Sequence, residues 1–208
     1  MQFELSTTID GAARLAGPEL ERIALSGFAT IDLSVHSIGA ESADTQRLEA
    51  FRQLAAASRL QIGGISAMWS LGSRALDLAD IVGTKRITLI ADACRAHGSN
   101  SGGPADPAAA ARALEPLAVG ASRRGLALAV EFPRKFSPEA IVDLIDGVDG
   151  GPVGVCLDVG HANLAGGAPE AIELLSGYVT IVHLHDNQGR EDSHRPPYAG
   201  SVDWPLTL

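Results

Sequence analysis

Three stretches in the second half of the chain end on side chains that can bind a cation or move a proton. Leu126–Glu131 finishes on a carboxylate, and Val153–Asp158 finishes on another. Val179–His185 carries imidazoles at its last and third-last positions, His185 and His183. Asp158-Val159-Gly160-His161 adds a further imidazole three residues beyond the second carboxylate. Two carboxylates about 4 Å apart repel by roughly 4 kcal/mol at an effective dielectric near 20. A cluster of Glu131, Asp158, His183 and His185 would therefore need protons or a cation, and mixed carboxylate and imidazole donors suit Mn, Co, Zn, Fe or Mg. Taken singly, a strand-terminal Glu or Asp is commonly a cap, and a strand His is commonly a hydrogen-bonded core group. The weight comes from concentration, since four of the six His fall between residues 161 and 194, beside both carboxylates.

The stretch Asp186–His194 supplies a second Asp-x-His, Asp192-Ser193-His194, and a candidate substrate-binding cation in Arg190. His36, near the end of an early strand, reads equally as a polar lining residue or a turn residue. Trp69 reads as core or as an apolar wall of the site. Arg134 and Lys135 could hold an anionic group, though a solvated loop is the simpler account. Cys156, inside an apolar run, reads as a small core filler.

These groups need elements to position them. Short apolar runs predict strands over Phe3–Ser6, Thr30–Val35, Gln61–Ile65, Arg86–Ala91, Leu126–Glu131, Val153–Asp158 and Val179–His185. Helical periodicity predicts helices over Pro18–Leu25, Ala43–Ser58, Ser73–Val82, Pro107–Arg123, Ser137–Ile145 and Pro169–Leu175. Ser137-Pro138 and Asp106-Pro107 each place an N-cap before a Pro at the first helical position. Several helices end near a Gly, as at Gly125 and Gly147. The Gly- and Ser-rich stretch from His97 to Asp106 reads as a loop over the sheet.

Strict alternation of strand and helix with short links implies parallel strands and an α/β fold. Side chains alternate across a strand. Ala127, Ala129 and Glu131 therefore share one face, as do Gly154, Cys156 and Asp158, and then Ile181, His183 and His185. That face is small and then polar at its carboxyl end, while the opposite face is aliphatic. A (β/α) barrel with its site at the carboxyl ends of the strands needs this pattern. An open doubly wound sheet also binds ligands at strand carboxyl ends, but no Gly-rich phosphate fingerprint follows the first strand.

The 208 residues suffice for one sizeable domain, and the 46% hydrophobic, 20% charged composition is that of a globular chain. The formal net charge of -9 argues against a general nucleic-acid or anionic-membrane binder. Two cysteines, Cys94 and Cys156, are too few for a disulfide framework. No signal peptide is visible and no apolar stretch approaches a membrane span. The expectation is a single cytoplasmic domain over residues 1–208.

At the level of these motifs the chain resembles the xylose isomerase-like TIM-barrel superfamily, the sugar phosphate isomerase/epimerase group that also holds the apurinic-site endonucleases. The resemblance is carried by Leu128-Ala129-Val130-Glu131, by Val153 to His161, and by His183-Leu184-His185-Asp186-Asn187. The tail Asp192-Ser193-His194, followed by Gly200-Ser201-Val202-Asp203-Trp204, matches as well. The resemblance implies Glu131 and Asp158 as metal ligands with His183 as the third and His185 as the alternative. It implies that His161 contacts substrate or relays protons, or binds a further metal with Asp192 and His194. His36, His185 and Arg190 would face the substrate. The family also supplies a Glu from an eighth strand, and no eighth strand is legible here after Trp204. The expected architecture is thus a TIM-type barrel lacking that strand: a piece of a longer chain, a barrel that a partner completes, or an incomplete site.

The leading expectation is an isomerase, epimerase or dehydratase of a small sugar or polyhydroxy-carbonyl compound, dependent on Mn, Co, Mg or Zn. Metal would stabilise the enediolate formed on proton loss, with Glu131 as ligand and base and His161 assisting. The alternatives are a zinc-dependent phosphodiesterase of the apurinic-endonuclease type, with His36 and His97 as further His candidates, and a non-catalytic incomplete barrel. A small carbohydrate-like substrate and a homo-oligomer are expected, with no nucleic-acid or membrane partner.

Overall fold

Parallel pairing requires a crossover after each strand to bring the chain back to the same end of the sheet, and each of the six crossovers here contains a helix. The computed structural model describes residues 4–10, 17–35, 42–90, 106–131 and 137–207. Its strands are β1 (Ser6–Asp10), β2 (Thr30–Ser34), β3 (Gln61–Met68), β4 (Arg86–Ile90), β5 (Ala127–Glu131), β6 (Val153–Asp158) and β7 (Val179–His183). The helices are α1 (Gly17–Leu25), α2 (Ser42–Ala57), α3 (Arg74–Val82), α4 (Pro107–Arg124), α5 (Pro138–Asp146), α6 (Val159–Ala165), α7 (Ala168–Leu175) and α8 (Trp204–Thr207). All six strand pairs are parallel and the sheet order is the chain order, β1 to β7. The strands curl into an incomplete barrel, and among the described residues β1 and β7 are its two edges.

The aliphatic strand face packs outward under the helices. Leu126, Leu128, Val130, Val155 and Leu157 join Leu114 and Leu117 of α4 and Ile141 and Leu144 of α5 in one buried cluster. The helices start where local chemistry dictates. Asp106 accepts from the Ala108 amide at 3.1 Å, Ser137 accepts from the Ala140 amide at 3.4 Å, and Pro follows each cap. The inner face is small. Ser34, Ser66, Thr88, Ala129 and Gly154 lie side by side across β2 to β6, leaving room at the carboxyl end above them. At the amino end a polar group closes the interior. Arg86 donates to Glu4 at 2.6 Å and to the Gly63 carbonyl at 2.8 Å, Thr30 donates to Glu4, and Ser6 to Asp32.

Several boundaries differ from the expected ones, and β3 runs on to Met68 instead of ending at Ile65. The first strand is Ser6–Asp10, not Phe3–Ser6, because a run of Thr and Ile suits extended pairing better than one Phe at the terminus. The last strand ends at His183, not His185. Its partner β6 stops at Asp158, opposite His183, and turns at once into α6, so residues 184 and 185 have no ladder left to join. The helix α6 itself is unexpected. Its start signal is Asp158, whose carboxylate accepts from the His161 amide at 2.8 Å. Of the stretch from His97 to Asp106, all but Asp106 lies outside the described residues, as does Cys94. Among the described residues no helix is long and apolar enough to cross a membrane.

Leu114 is fully buried where α4 meets the sheet. Leu114→Ala is expected to cost about 2–5 kcal/mol of folding stability, read from the urea midpoint, and the slope with denaturant should stay unchanged.

Candidate metal centre

The carboxyl ends of β5, β6 and β7 converge because neighbouring parallel strands in register deliver their last inward side chains to one place. Asp158 pairs with His183 across β6 and β7, and Glu131 ends the adjacent strand opposite Cys156. Glu131, Asp158 and His183 offer ligand atoms that all lie within 4.8 Å of one another. His183 Nδ1 is 3.3 Å from Glu131 Oε2 and 3.8 Å from Asp158 Oδ2. Both carboxylates are almost fully buried, at 5% and 3% exposure, so neither has bulk water to offset its charge.

A second layer of imidazoles surrounds this trio. His161, on the first turn of α6, places Nδ1 3.5 Å from Glu131 Oε1 and 3.7 Å from Asp158 Oδ2. Its other nitrogen, Nε2, is 3.3 Å from Asp192 Oδ2. His185, just past β7, sets Nε2 2.8 Å from Asp158 Oδ1 and Nδ1 3.7 Å from Asp192 Oδ1. His194 lies 3.2 Å from Asp192 Oδ1 and stacks on the His185 ring at 4.1 Å between centroids. His185, Asp192 and His194 form an outer trio, and Asp158, His161 and His185 link it to the inner one.

The charges in the cluster stabilise one another. Burial opposes the ionised form of Asp158, but the close imidazoles of His183, His185 and His161 outweigh it and hold its pKa below the ordinary value. Burial likewise favours neutral His183. The Cys156 sulfur and the carboxylates of Asp158 and Glu131 reverse that and raise the His183 pKa. His185 is raised too, against burial, by Asp158 and then Asp192. Burial pushes the Cys156 thiol up, and it lies fully enclosed against His183.

The donor set fits a divalent cation. It combines carboxylate oxygen and imidazole nitrogen at close range. Both His185 ring nitrogens are buried and lack a well-aligned hydrogen bond despite the short approach to Asp158. Arg190 is exposed on the loop two residues before Asp192. Trp69 is partly buried in a turn after β3 and packs on the core. His36, His97, Arg134 and Lys135 lie outside the described residues.

Two groups receive no role of their own from the sequence alone. Gly160 is needed where the His185 ring crosses α6, since a Cβ there would sit 2.0 Å from the ring. Asn187, fully buried, donates to the Gly160 carbonyl at 2.8 Å and accepts from Asn163 at 2.8 Å, tying the loop after β7 to α6. Gly160 stands inside the Asp-Val-Gly-His motif, but its reason is a ring from another strand.

A family model described as xylose isomerase-like TIM barrel matches residues 20–208. An uncharacterized protein of Methanocaldococcus jannaschii is 32% identical over 72 residues, which is 33% of this chain and 25% of that protein. The matched part is thus a quarter of that relative's length. A xylose isomerase domain protein from Planctomyces limnophilus superposes with a TM-score of 0.74 at 18% identity, over 99% of this chain and 83% of that one. A structure of an L-ribulose 3-epimerase superposes at 0.71 and 21% identity, over 96% of this chain and 74% of that one. At these identities the structural likeness establishes the fold.

The pKa directions fix a pH signature for the ion-free protein. Asp158, lowered from 3.8, contributes stability that is present above that pH and is lost as pH falls through its folded value. His183, raised from 6.5, contributes stability that is complete below that pH and is lost as pH rises toward its folded value. Both contributions coexist between pH 3.8 and 6.5, where the ion-free protein is expected to be most stable. Above that window stability should fall by up to about 1.4 kcal/mol per pH unit for each extra proton the folded state holds. Urea unfolding of the wild type and His183→Asn across that alkaline range checks this; the variant should show the shallower slope, and equal slopes would contradict it.

Proposed function

Because the chain belongs to the xylose isomerase-like TIM-barrel family, we propose that it is a divalent-metal-dependent isomerase or epimerase of a small polyhydroxylated carbonyl compound. The observation that carries this reading is the trio Glu131, Asp158 and His183, gathered within 4.8 Å at the carboxyl ends of three adjacent strands. Glu131, Asp158 and His183 would hold Mn, Co, Mg or Zn, with His185 as the alternative third ligand, and Asp192 and His194 would hold a second ion. A divalent cation supplies Lewis acidity toward a carbonyl and its neighbouring hydroxyl, stabilising the charge left when a carbon-bound proton is removed.

The chain's own groups do the rest. Glu131 Oε1 is the base, since its other oxygen already faces His183. His161 stands between Glu131 Oε1 and Asp192 Oδ2, so it can receive a proton at Nδ1 and give one up at Nε2. His185 orients the substrate from the loop side, and Arg190 and His36 are assigned to substrate binding. Dehydration begins with the same proton abstraction and differs only in expelling hydroxide. Epimerisation of ketoses is the first reaction to test, because an L-ribulose 3-epimerase shares the fold over 96% of this chain.

One observation favours a second reading. The outer trio His185, Asp192 and His194 would allow more than one ion, as a zinc phosphodiesterase of the apurinic-endonuclease type needs. The net charge of -9 weighs against a polyanionic substrate.

Metal content by mass spectrometry, paired with ketose epimerisation, tests the proposal. Wild type should carry a divalent ion and lose activity to chelator, and Glu131→Ala should lower kcat by about 10²-fold or more. Wild-type-like turnover in Glu131→Ala would sink the assignment. Cleavage of abasic duplex by a zinc-loaded protein that leaves ketoses untouched would favour the phosphodiesterase.

A further inference from the structure

The loop after β7 carries Asp192 and His194 to the outer trio, yet it buries almost nothing of its own. From Gln188 to Ala199 every residue is exposed except Asp192, whose carboxylate is buried. The loop's ring contacts are Tyr198 against Trp204, at 5.5 Å between centroids, and His194 on His185, so polar contacts must hold the rest of its course. Two buried side chains contribute: Asn187 accepts from the Gly189 amide at 2.8 Å, and Asp186 makes the larger set of contacts. Asp186 is completely buried, and its carboxylate faces N–H donors on every side. Oδ1 accepts from the Asn187 amide at 2.8 Å and the Val202 amide at 3.2 Å, and Oδ2 accepts from Trp204 Nε1 at 2.8 Å. The Gly200 amide donates to the same carboxylate. The Asp186 backbone pairs both ways with Arg195, at 2.7 and 2.8 Å.

We propose that Asp186, which is not itself a ligand, is the positioning residue that holds Asp192 and His194 against His185 and His161. The residue pins the loop at 195 through its backbone and at 200–204 through its side chain, so the intervening turn has its ends fixed. Gly200 belongs to the same device, because a Cβ there would lie 2.1 Å from Asp186 Oδ1. All the side-chain partners are donors, which an ionised carboxylate can satisfy together. An Asn in its place has one acceptor oxygen and must turn its own N–H groups toward a donor. The conservative change is therefore a disruptive one. In its ion-binding aspect this inference rests on the proposed metal-site reading.

The test is a cobalt(II) titration of the metal-free chain, followed by its visible absorption and by amide hydrogen exchange, for wild type, Asp186→Asn and Trp204→Phe. Wild type should show two binding events. Asp186→Asn should keep the tighter event and weaken the second by about 10- to 100-fold. Amide protection should drop across 187–203 and persist in β5 and β6. Trp204→Phe removes one donor and leaves the carboxylate, so it should shift the second event in the same direction by less. It carries the comparison if Asp186→Asn does not fold. An unchanged second event in a folded variant overturns the proposal. So does equal weakening of both events with protection lost throughout, which would make Asp186 a fold residue only. If wild type binds a single ion or none, the ion-binding reading of the outer trio fails independently. Exchange then decides: protection lost only in 187–203 upholds the positioning role, and unchanged protection overturns it.

Discussion

Two carboxylates, Glu131 and Asp158, are buried side by side, and most of the carboxyl end of the molecule follows from compensating them. A carboxylate out of water is tolerated only when paired or hydrogen-bonded. Asp158 meets this requirement three ways at once. It caps α6 through the His161 amide, faces His183 across the sheet, and meets His185 from the loop. The same side chain is thus a strand terminator, a helix start and a member of the cluster. The three imidazoles stand where a divalent ion or protons would offset the acids.

The sheet makes this arrangement affordable to the fold by keeping its two faces separate. The outward face is aliphatic and packs under α4 and α5, so much of the apolar packing lies on the side away from the charges. The inner face narrows to Ser66, Thr88, Ala129 and Gly154, which leaves space above them for large polar groups. Cys156 is the transition between the two, a small buried group directly beneath the charges.

The outer half of the site is built differently. His161 sits on a helix, but Asp192 and His194 come from an exposed loop whose aromatic contact is Tyr198 on Trp204, and polar contacts made elsewhere in sequence help to tie it down. Asn187 ties that loop to α6 and Asp186 ties it to the Trp204 turn. A site with a rigid inner trio on strands and an outer trio on a pinned loop has two levels of local stability. Chemistry that needs the outer groups to shift with a substrate would draw on the second level.

By itself the sequence determined the parallel α/β alternation, the aliphatic and small faces of β5 and β6, and the identity of the acids and imidazoles at one end. Those follow from period-2 and period-3.6 patterning, which is local. It read the Ser137 and Asp106 caps correctly for the same reason. It missed α6: a cap is one reading of a strand-terminal Asp, but the short run Val159–Ala165 has too few turns to show helical periodicity. It placed the end of β7 two residues late, because pairing length depends on where the neighbouring strand stops. Whether His183 or His185 meets Glu131 could not come from parity, since both share it; the tertiary structure puts His183 there and turns His185 toward Asp158 and Asp192. The need for Gly160 and the burial of Asp186 were likewise decided only in three dimensions. Each depends on a group brought from a distant element, a ring from beyond β7 in one case and the Trp204 turn in the other.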